Sequence, residues 1–331
     1  MVASEPVHGQ RRPLRGGLVT FGETMALLSA TRTGPLRHAD SLRLGIAGAE
    51  SNVAIGVRRL GSEAAWTGRV GDDELGRLIV RELAAEEVDV RGAVVDPDAP
   101  TGLMIKERRS SATTSVLYYR RGSAGSRLAP ADLDEELIAG AGVMHCTGIT
   151  PALSSSARAA TFSAVEIARA AGTLVSFDPN HRTALWPDDA EAAGVFRDLA
   201  GRADVVFAGE DEAEMILGEA FAPDAAARRL AELGPARAIV KLAERGAVAC
   251  AEGTVRSAGA RRVDAVDPVG AGDAFAAGYL AGLLDAADPV AALALAVAVG
   301  SWAVTVDGDW EGLPRRSELG LLDAAAGDVR R

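Results

Sequence analysis

From Val143 onward the chain alternates short apolar runs with longer stretches of helical character, and no other feature limits its folds as tightly. Val143–Cys146, Leu174–Asp178, Val205–Ala208, Ala238–Lys241 and Ala247–Cys250 read as strands. Ser154–Ala171, Asp188–Ala200, Glu210–Leu217 and Pro223–Leu233 read as helices, and two long helices follow at Ala271–Leu284 and Pro289–Val306. Strands that alternate with helices predict a mostly parallel sheet covered on both faces. Upstream, Leu18–Phe21 and Ala64–Val70 read as strands. Ser51–Leu60 reads as a helix with Val53, Ala54, Val57 and Leu60 at helical spacing, and Asp73–Ala85 as one capped by Asp72 or Asp73. The turn-rich stretch from Met25 to Ile46 and the runs Gly92–Val95, Gly102–Lys106 and Thr113–Tyr119 do not join this alternation. They are expected to form a small β insertion, a lid or clasp.

The 331 residues allow one large α/β domain or two smaller ones. Aromatic residues are only 4% of a chain that is 48% hydrophobic, so Ala, Leu and Val must do most of the packing. A formal net charge of −11 speaks against nucleic acid or an anionic membrane as the main partner. Cys146 and Cys250 sit in apolar runs and read as buried free thiols in a reducing compartment, which suits the cytoplasm. No Cys and His cluster has zinc spacing. Met1–Gly17 lacks the apolar core of a signal peptide and reads as a flexible extension. Pro289–Val306 is the nearest approach to a membrane span and is better read as a buried helix.

The chemistry is concentrated in Asp267-Pro268-Val269-Gly270-Ala271-Gly272-Asp273. Two glycines precede an aspartate and a run of good helix formers, which reads as a tight turn entering a helix. Unpaired N–H groups and the positive dipole end make such a start an anion site. An aspartate beside a phosphate is awkward unless it takes a proton from an attacking hydroxyl. An ordinary glycine turn is the plain alternative. Gly48-Ala49-Glu50-Ser51-Asn52 is a second glycine turn into a helix, where a polar ligand could rest with Asn52 as anchor, or where Ser51 or Asn52 simply caps. Gly68–Asp73 with Gly76 is better read as capping alone. Tyr118 and Arg120 share one strand face, which suits a substrate with hydroxyls and a carboxylate. Asp178, Asn180 and Arg182 cluster at a strand's C-terminal end, where ligands bind in open α/β sheets. Lys241–Gly246 follows another strand and could approach a nucleotide or form a hairpin turn, and Asp309 follows the last long helix.

In that order, Gly48 to Asn52, Gly68–Asp72, Asp178–Arg182, Glu212, Lys241–Gly246 and Asp267–Asp273 resemble the ribokinase-like (PfkB) carbohydrate kinases, over nearly the whole chain from Leu18. The resemblance implies a three-layer α/β/α domain over 18–331, with a mostly parallel central sheet and a small β-sheet lid drawn from about 25–46 and 99–121. It implies transfer of the γ-phosphoryl group of ATP to a hydroxyl, with Mg²⁺, a monovalent cation such as K⁺ as a further candidate, and a homodimer through the lid. Within the family the chain is most similar to 2-keto-3-deoxygluconate kinases. By resemblance Gly48, Ala49, Glu50, Ser51, Asn52, Met104, Tyr118, Arg120, Arg182 and Asp309 would contact the sugar acid. Asn180, Lys241, Glu244, Gly246, Gly270, Ala271 and Gly272 would line the ATP site, Asp273 would be the base, and Glu212 would hold magnesium through water.

Three positions depart from the pattern. Met104 stands where some of these kinases have tyrosine, Gly209 replaces the asparagine of an N-x-x-E element that keeps Glu212, and Ala243 replaces a common glycine. A fructokinase-like or other sugar kinase is the alternative within the family, with Arg120 and Arg182 as discriminators. A non-catalytic sugar-binding regulator predicts loss of Asp273 or its glycine turn, and both are present. A dehydrogenase would need Gly-x-Gly-x-x-Gly after the first strand, where Phe21-Gly22-Glu23-Thr24 stands instead.

Overall fold

Leu18 and Val19 are both buried, but they belong to different apolar cores. The same split recurs at Val205 and Phe207 against Val206 and Ala208, and at Ala247 and Ala249 against Val248 and Cys250. Successive residues of a strand point to opposite faces, so both faces of this sheet must be covered. The computed structural model that shows this describes Leu14 and residues 16–110 and 113–323. The expected N-terminal extension, 1–17, lies outside the described residues except at Leu14, Gly16 and Gly17, and so does the chain's end, 324–331.

The elements are β1 (Leu18–Phe21), β2 (Met25–Ala30), β3 (Leu42–Ala47), α1 (Ala49–Arg59), β4 (Ala64–Gly71), α2 (Glu74–Ala85), β5 (Ala93–Asp96), β6 (Leu103–Ser110) and β7 (Thr113–Tyr119). Next come α3 (Glu135–Gly140), β8 (Val143–Thr147), α4 (Thr150–Leu153), α5 (Ser155–Ala171), β9 (Leu174–Asp178), α6 (Asp189–Arg202) and β10 (Val205–Gly209). Then follow α7 (Glu210–Leu217), α8 (Pro223–Ala231), β11 (Arg237–Lys241), β12 (Ala247–Ala251), β13 (Thr254–Ala258), α9 (Ala271–Leu284) and α10 (Pro289–Ala303).

Nine strands form the central sheet in the order β13-β12-β11-β10-β9-β8-β1-β4-β5, parallel throughout except for the β12–β13 end. The strand order reverses at β1, which opens a crevice at the C-terminal ends of β1 and β8, the usual ligand position in such sheets. Four strands, β3-β2-β6-β7, form a separate sheet whose Met25, Leu27, Ala47 and Met104 make a small core of their own.

The run at Gly92–Val95, grouped with the small insertion on sequence, belongs to the central sheet instead. Ala93–Asp96 pairs in parallel with Gly68–Gly71, and Arg69 binds Asp96 across the pair at 2.9 Å. As an edge strand it is half exposed, so its composition resembles that of a strand outside the core. The β13 strand was not legible either, because only Val255 and Ala258 of its five residues are partly covered.

With few aromatics, the helices approach closely over small residues. A Cβ on Gly278 of α9 would stand 2.8 Å from the Ala296 Cα of α10. From Asp273 to Leu284 every residue of α9 is buried, so this helix is a third wall of core rather than an amphipathic surface element. No helix among the described residues is long and apolar enough to cross a membrane.

Candidate active site

A cavity under the small sheet, at the crevice beside β1, gathers residues from widely separated stretches of the chain. Its walls include Gly48, Ala49, Glu50, Asn52, Met104, Tyr118, Arg120, Arg182, Gly270, Asp273 and Asp309, together with Glu23. Of the expected sugar contacts only Ser51 is absent. It is fully buried and turns its hydroxyl onto the Gly48 carbonyl at 2.9 Å, because α1 begins at Ala49 and not at Ser51. Neither Ser51 nor Asn52 caps that helix; Gly48 is its N-cap, without a side-chain bond.

Gly270 is the N-cap of α9 in the left-handed conformation, φ 78°, and a Cβ there would lie 2.0 Å from the Asp309 carbonyl oxygen. Glycine alone fits both demands. The turn lets α9 start with Asp273 in its first turn, pointing into the cavity. In the first intrahelical bond Ala274 N donates to Gly270 O at 2.8 Å, and Ala271 N donates to Pro268 O at 3.3 Å. Gly272 and Asp273 therefore supply the freest N–H groups of the helix start.

Asn52 Nδ2 donates to Asp273 Oδ2 at 2.8 Å, and Asn180 Nδ2 donates to Oδ1 at 3.2 Å. Asn180 reaches it from a left-handed turn, φ 40°, directly after β9. Burial pushes the Asp273 carboxyl up to about 7, against the Asn52 hydrogen bond and the attraction of Arg182 and Lys241. An aspartate so placed can exchange a proton near neutral pH. Asn52 Oδ1 is buried and has no hydrogen-bond partner among the described residues, which leaves an acceptor at the cavity wall.

On the neighbouring side, Lys241 at the end of β11 donates to Asp178 Oδ2 at 2.6 Å and stands 4.0 Å from Glu212. A Cβ on Gly272 would be 3.7 Å from its Nζ, so β9, β11 and the start of α9 converge at this ammonium. Burial raises Asp178 despite Lys241. Burial also acts on Glu212, but Lys241 and the Gly209 and His181 N–H groups hold it below its ordinary value. Those N–H groups bind its two oxygens at 2.6 and 2.8 Å, so Glu212 caps α7 and braces the turn after β9. Gly209 provides only its backbone, so the asparagine side chain of the family pattern has no counterpart. Among the described residues there is no group of three or more His, Cys, Asp or Glu able to hold a metal. Glu244 is exposed on the 3₁₀ turn 243–245, and Ala243 there has φ 51°, a strained value for alanine that explains the usual glycine.

Tyr118 and Arg120 do share the face turned to the cavity, with the guanidinium 5.8 Å from the ring centroid. Sequence reading missed what holds Arg120. Glu23 accepts from its Nε at 2.7 Å and its Nη2 at 2.6 Å, and accepts a short bond from Ser123. Cβ atoms on Gly102 and Gly125 would come within 2.5 and 2.3 Å of the Glu23 side chain, so both glycines make room for it. The available signal was its place, directly after the first strand, at the ligand end of the sheet. Glu50, also at the cavity wall, accepts from Thr147 and Thr150 at 2.6 and 2.9 Å and ties α1 to β8 and α4. Gly68–Gly76 does what the plain reading expected: Asp73 caps α2 by accepting from Gly76 N.

A doubly wound sheet with an ionisable carboxylate at a helix start, facing a polar cavity across a second sheet, is the frame of a carbohydrate kinase. Residues 16–316 match the pfkB family carbohydrate kinases, and the chain belongs to that family. It is 40% identical over 317 residues to the 2-dehydro-3-deoxygluconokinase of Bacillus subtilis strain 168, covering 95% of this chain and 97% of the relative. The structure is similar to that of a PfkB protein from Polaromonas sp. JS666, with a TM-score of 0.84, 38% identity, and 92% and 99% of the two chains covered. A putative ribokinase II from E. coli in complex with ATP and Mg²⁺ has a TM-score of 0.86 at 27% identity, with 93% and 99% covered.

Proposed function

We propose that this kinase phosphorylates the terminal hydroxyl of a sugar acid, 2-keto-3-deoxygluconate (2-dehydro-3-deoxygluconate), using ATP. The observation that carries this reading is the pair Arg120 and Arg182 on the wall of a cavity that also holds Asp273. Two guanidinium groups suit a carboxylate and are not needed by a neutral hexose. Similarity to the Bacillus subtilis enzyme supports the same choice.

Asp273 takes the proton of the attacking hydroxyl. Backbone N–H groups of Ala271, Gly272 and Asp273 stabilise the charge on the transferring phosphoryl group, Gly272 and Asp273 most directly. Arg120 and Arg182 hold the carboxylate end, and Tyr118, Asp309 and Asn52 Oδ1 bind hydroxyls between. Met104 offers an apolar wall where a tyrosine would add one hydrogen bond. Asn180, Lys241, Glu244 and Gly246 line the nucleotide side. Glu212, whose two oxygens accept from the Gly209 and His181 N–H groups, would help hold a magnesium ion brought in by the nucleotide's phosphates. That ion would offset phosphate charge near Asp273. The small sheet acts as a lid that excludes water. Its exposed Leu42, Leu44, Leu117 and Tyr119 are where a second copy would pack, so light scattering is expected to show a dimer, and a monomer at working concentration would remove that contact.

Arg182 gives the cleanest test, because its only hydrogen bond within the described protein is to the His181 carbonyl, at 3.2 Å, and no side chain depends on it for a hydrogen bond. A coupled ADP assay over sugar acids, hexoses, ribose and nucleosides is expected to favour 2-keto-3-deoxygluconate. Arg182→Ala should raise the KM for the acid by about 10- to 100-fold and leave the KM for a neutral hexose unaffected. Near neutral pH kcat should fall on both, because Asp273 loses an attracting charge. An equal rise in KM on acid and hexose would overturn the sugar-acid assignment, and a flat response across the panel would overturn the acceptor reading as a whole.

A further inference from the structure

Lys106 lies on β6 of the small sheet, and its side chain runs inward. It is 5% exposed, and its ammonium donates to Asp267 Oδ2 at 2.6 Å and to Asp309 Oδ1 at 3.0 Å. The two carboxylates belong to different loops. Asp267 opens the turn into α9, where its Oδ1 accepts from Val269 N and its Oδ2 from Gly308 N, each at 3.2 Å. Asp309 lies on the cavity wall, and its carbonyl is the group against which Gly270 packs. One cation thus joins three segments: the small sheet, the turn that sets the helix start, and the loop that carries Asp309. Lys106 is not itself on the cavity wall.

We propose that Lys106 is a positioning residue for phosphoryl transfer. Through Asp309 and Asp267 it fixes the acceptor relative to Asp273 and the N–H groups of α9, and it makes that geometry depend on the small sheet being docked. This rests on the reading of Asp309 as an acceptor contact and Asp273 as the base.

The electrostatics agree. Burial disfavours the ammonium, yet Asp309 and Asp267 keep Lys106 protonated with a raised pKa. Burial acts on Asp267 too, but Lys106 and two N–H groups hold it below its ordinary value. Asp309 stays above its ordinary value because burial, with Glu311 and Asp267 nearby, outweighs Lys106. Without the ammonium, two buried carboxylates would face each other with no cation. They would separate or take up a proton, and Asp309 would no longer present the same oxygen to the acceptor.

The test compares wild type, Lys106→Met and Lys106→Ala, with 2-keto-3-deoxygluconate and ATP varied separately. Lys106→Met, of similar length and without charge, is expected to raise the acceptor KM about tenfold or more and lower kcat, with the ATP KM within about threefold of wild type. Lys106→Ala should show the same split, partly relieved by ammonium chloride but not by sodium chloride at equal ionic strength, because a small donor cation can return between the carboxylates. Where Lys106→Met does not fold, Lys106→Gln keeps the stem and a donor without the charge. A folded Lys106→Met enzyme with unchanged acceptor KM and kcat would overturn the proposal. So would a loss shared equally by both substrates and untouched by ammonium, since that is the mark of a purely structural lysine. The wild-type enzyme separates this failure from that of the functional reading. If wild type uses fructose instead, the same comparison is made with fructose; if Asp273→Asn stays active, the base assignment fails whatever Lys106 does.

Discussion

Asp273→Asn is expected to lower kcat by roughly 10²- to 10⁴-fold, the range a general base supplies, while both substrates still bind. The variant is well suited to the site. Asn52 and Asn180 both donate an amide to the Asp273 carboxylate, so an asparagine there must present a donor to one of them. Asn52 can absorb this by turning its amide, because its Oδ1 has no partner of its own. In the wild type, activity should fall as pH drops through about 7, where Asp273 takes up its proton. Stability should move the other way. An unfolded aspartate ionises near pH ~4, so between about pH 4 and about pH 7 the folded protein holds a proton that the unfolded chain lacks. Stability then declines as pH rises across that window and stays lower above it. Asp273→Asn should accordingly melt above wild type at pH ~8, with the difference gone below about pH 4. Near-normal turnover in the variant would end the base assignment, and a lower melting temperature at high pH would contradict the buried, costly carboxylate.

Gly270→Ala carries the next largest effect. The new methyl group would meet the Asp309 carbonyl at 2.0 Å, and backbone φ is 78°, so it is excluded on two counts. Left-handed backbone alone costs an alanine about 1–2 kcal/mol, and the steric overlap cannot be relieved by rotating a side chain. Either the turn opens and the helix-start N–H groups move, or the loop carrying Asp309 retreats. Loss of one such donor is worth about 10²- to 10³-fold in kcat, so a fall of that order is expected, with a raised acceptor KM and a lower melting temperature. Gly272→Ala is the control. It has no left-handed φ, and its Cβ would make an ordinary contact 3.7 Å from Lys241 Nζ. It should melt like wild type or slightly above, since alanine favours a helix. Equal melting of the two variants would show that the turn at Gly270 is not under this constraint.

Much of the site could be read one residue at a time because its parts are local. The helix start at Gly270–Asp273, the cluster after β9 and the shared face of Tyr118 and Arg120 each lie within a few residues and obey strand or helix geometry. Residues that act across the fold were harder to see. Glu23 looked like the end of a strand, and Lys106 like one more polar residue in the small sheet. Its two-residue spacing from Met104 put Lys106 on the same face as a site residue, a signal that could have been used. The helix expected from Ser51 begins two residues earlier, at Ala49; a helix start cannot be placed to within two residues from propensity alone. The Ser51 hydroxyl then donates to the Gly48 carbonyl instead of capping.

By itself the sequence determined the layered α/β architecture, through a strand–helix rhythm that permits few arrangements of apolar surface, and it marked Asp273 as a base candidate beside an anion site. Only the tertiary structure decided that Asp273 is buried between two asparagines and titrates near neutrality. It also decided that Arg120 is held by Glu23, and that Lys106 links the small sheet to the turn before α9. The reason is the same in each case: burial and ion pairing arise between segments far apart in the chain, and their energies exist only once the fold has brought those segments together.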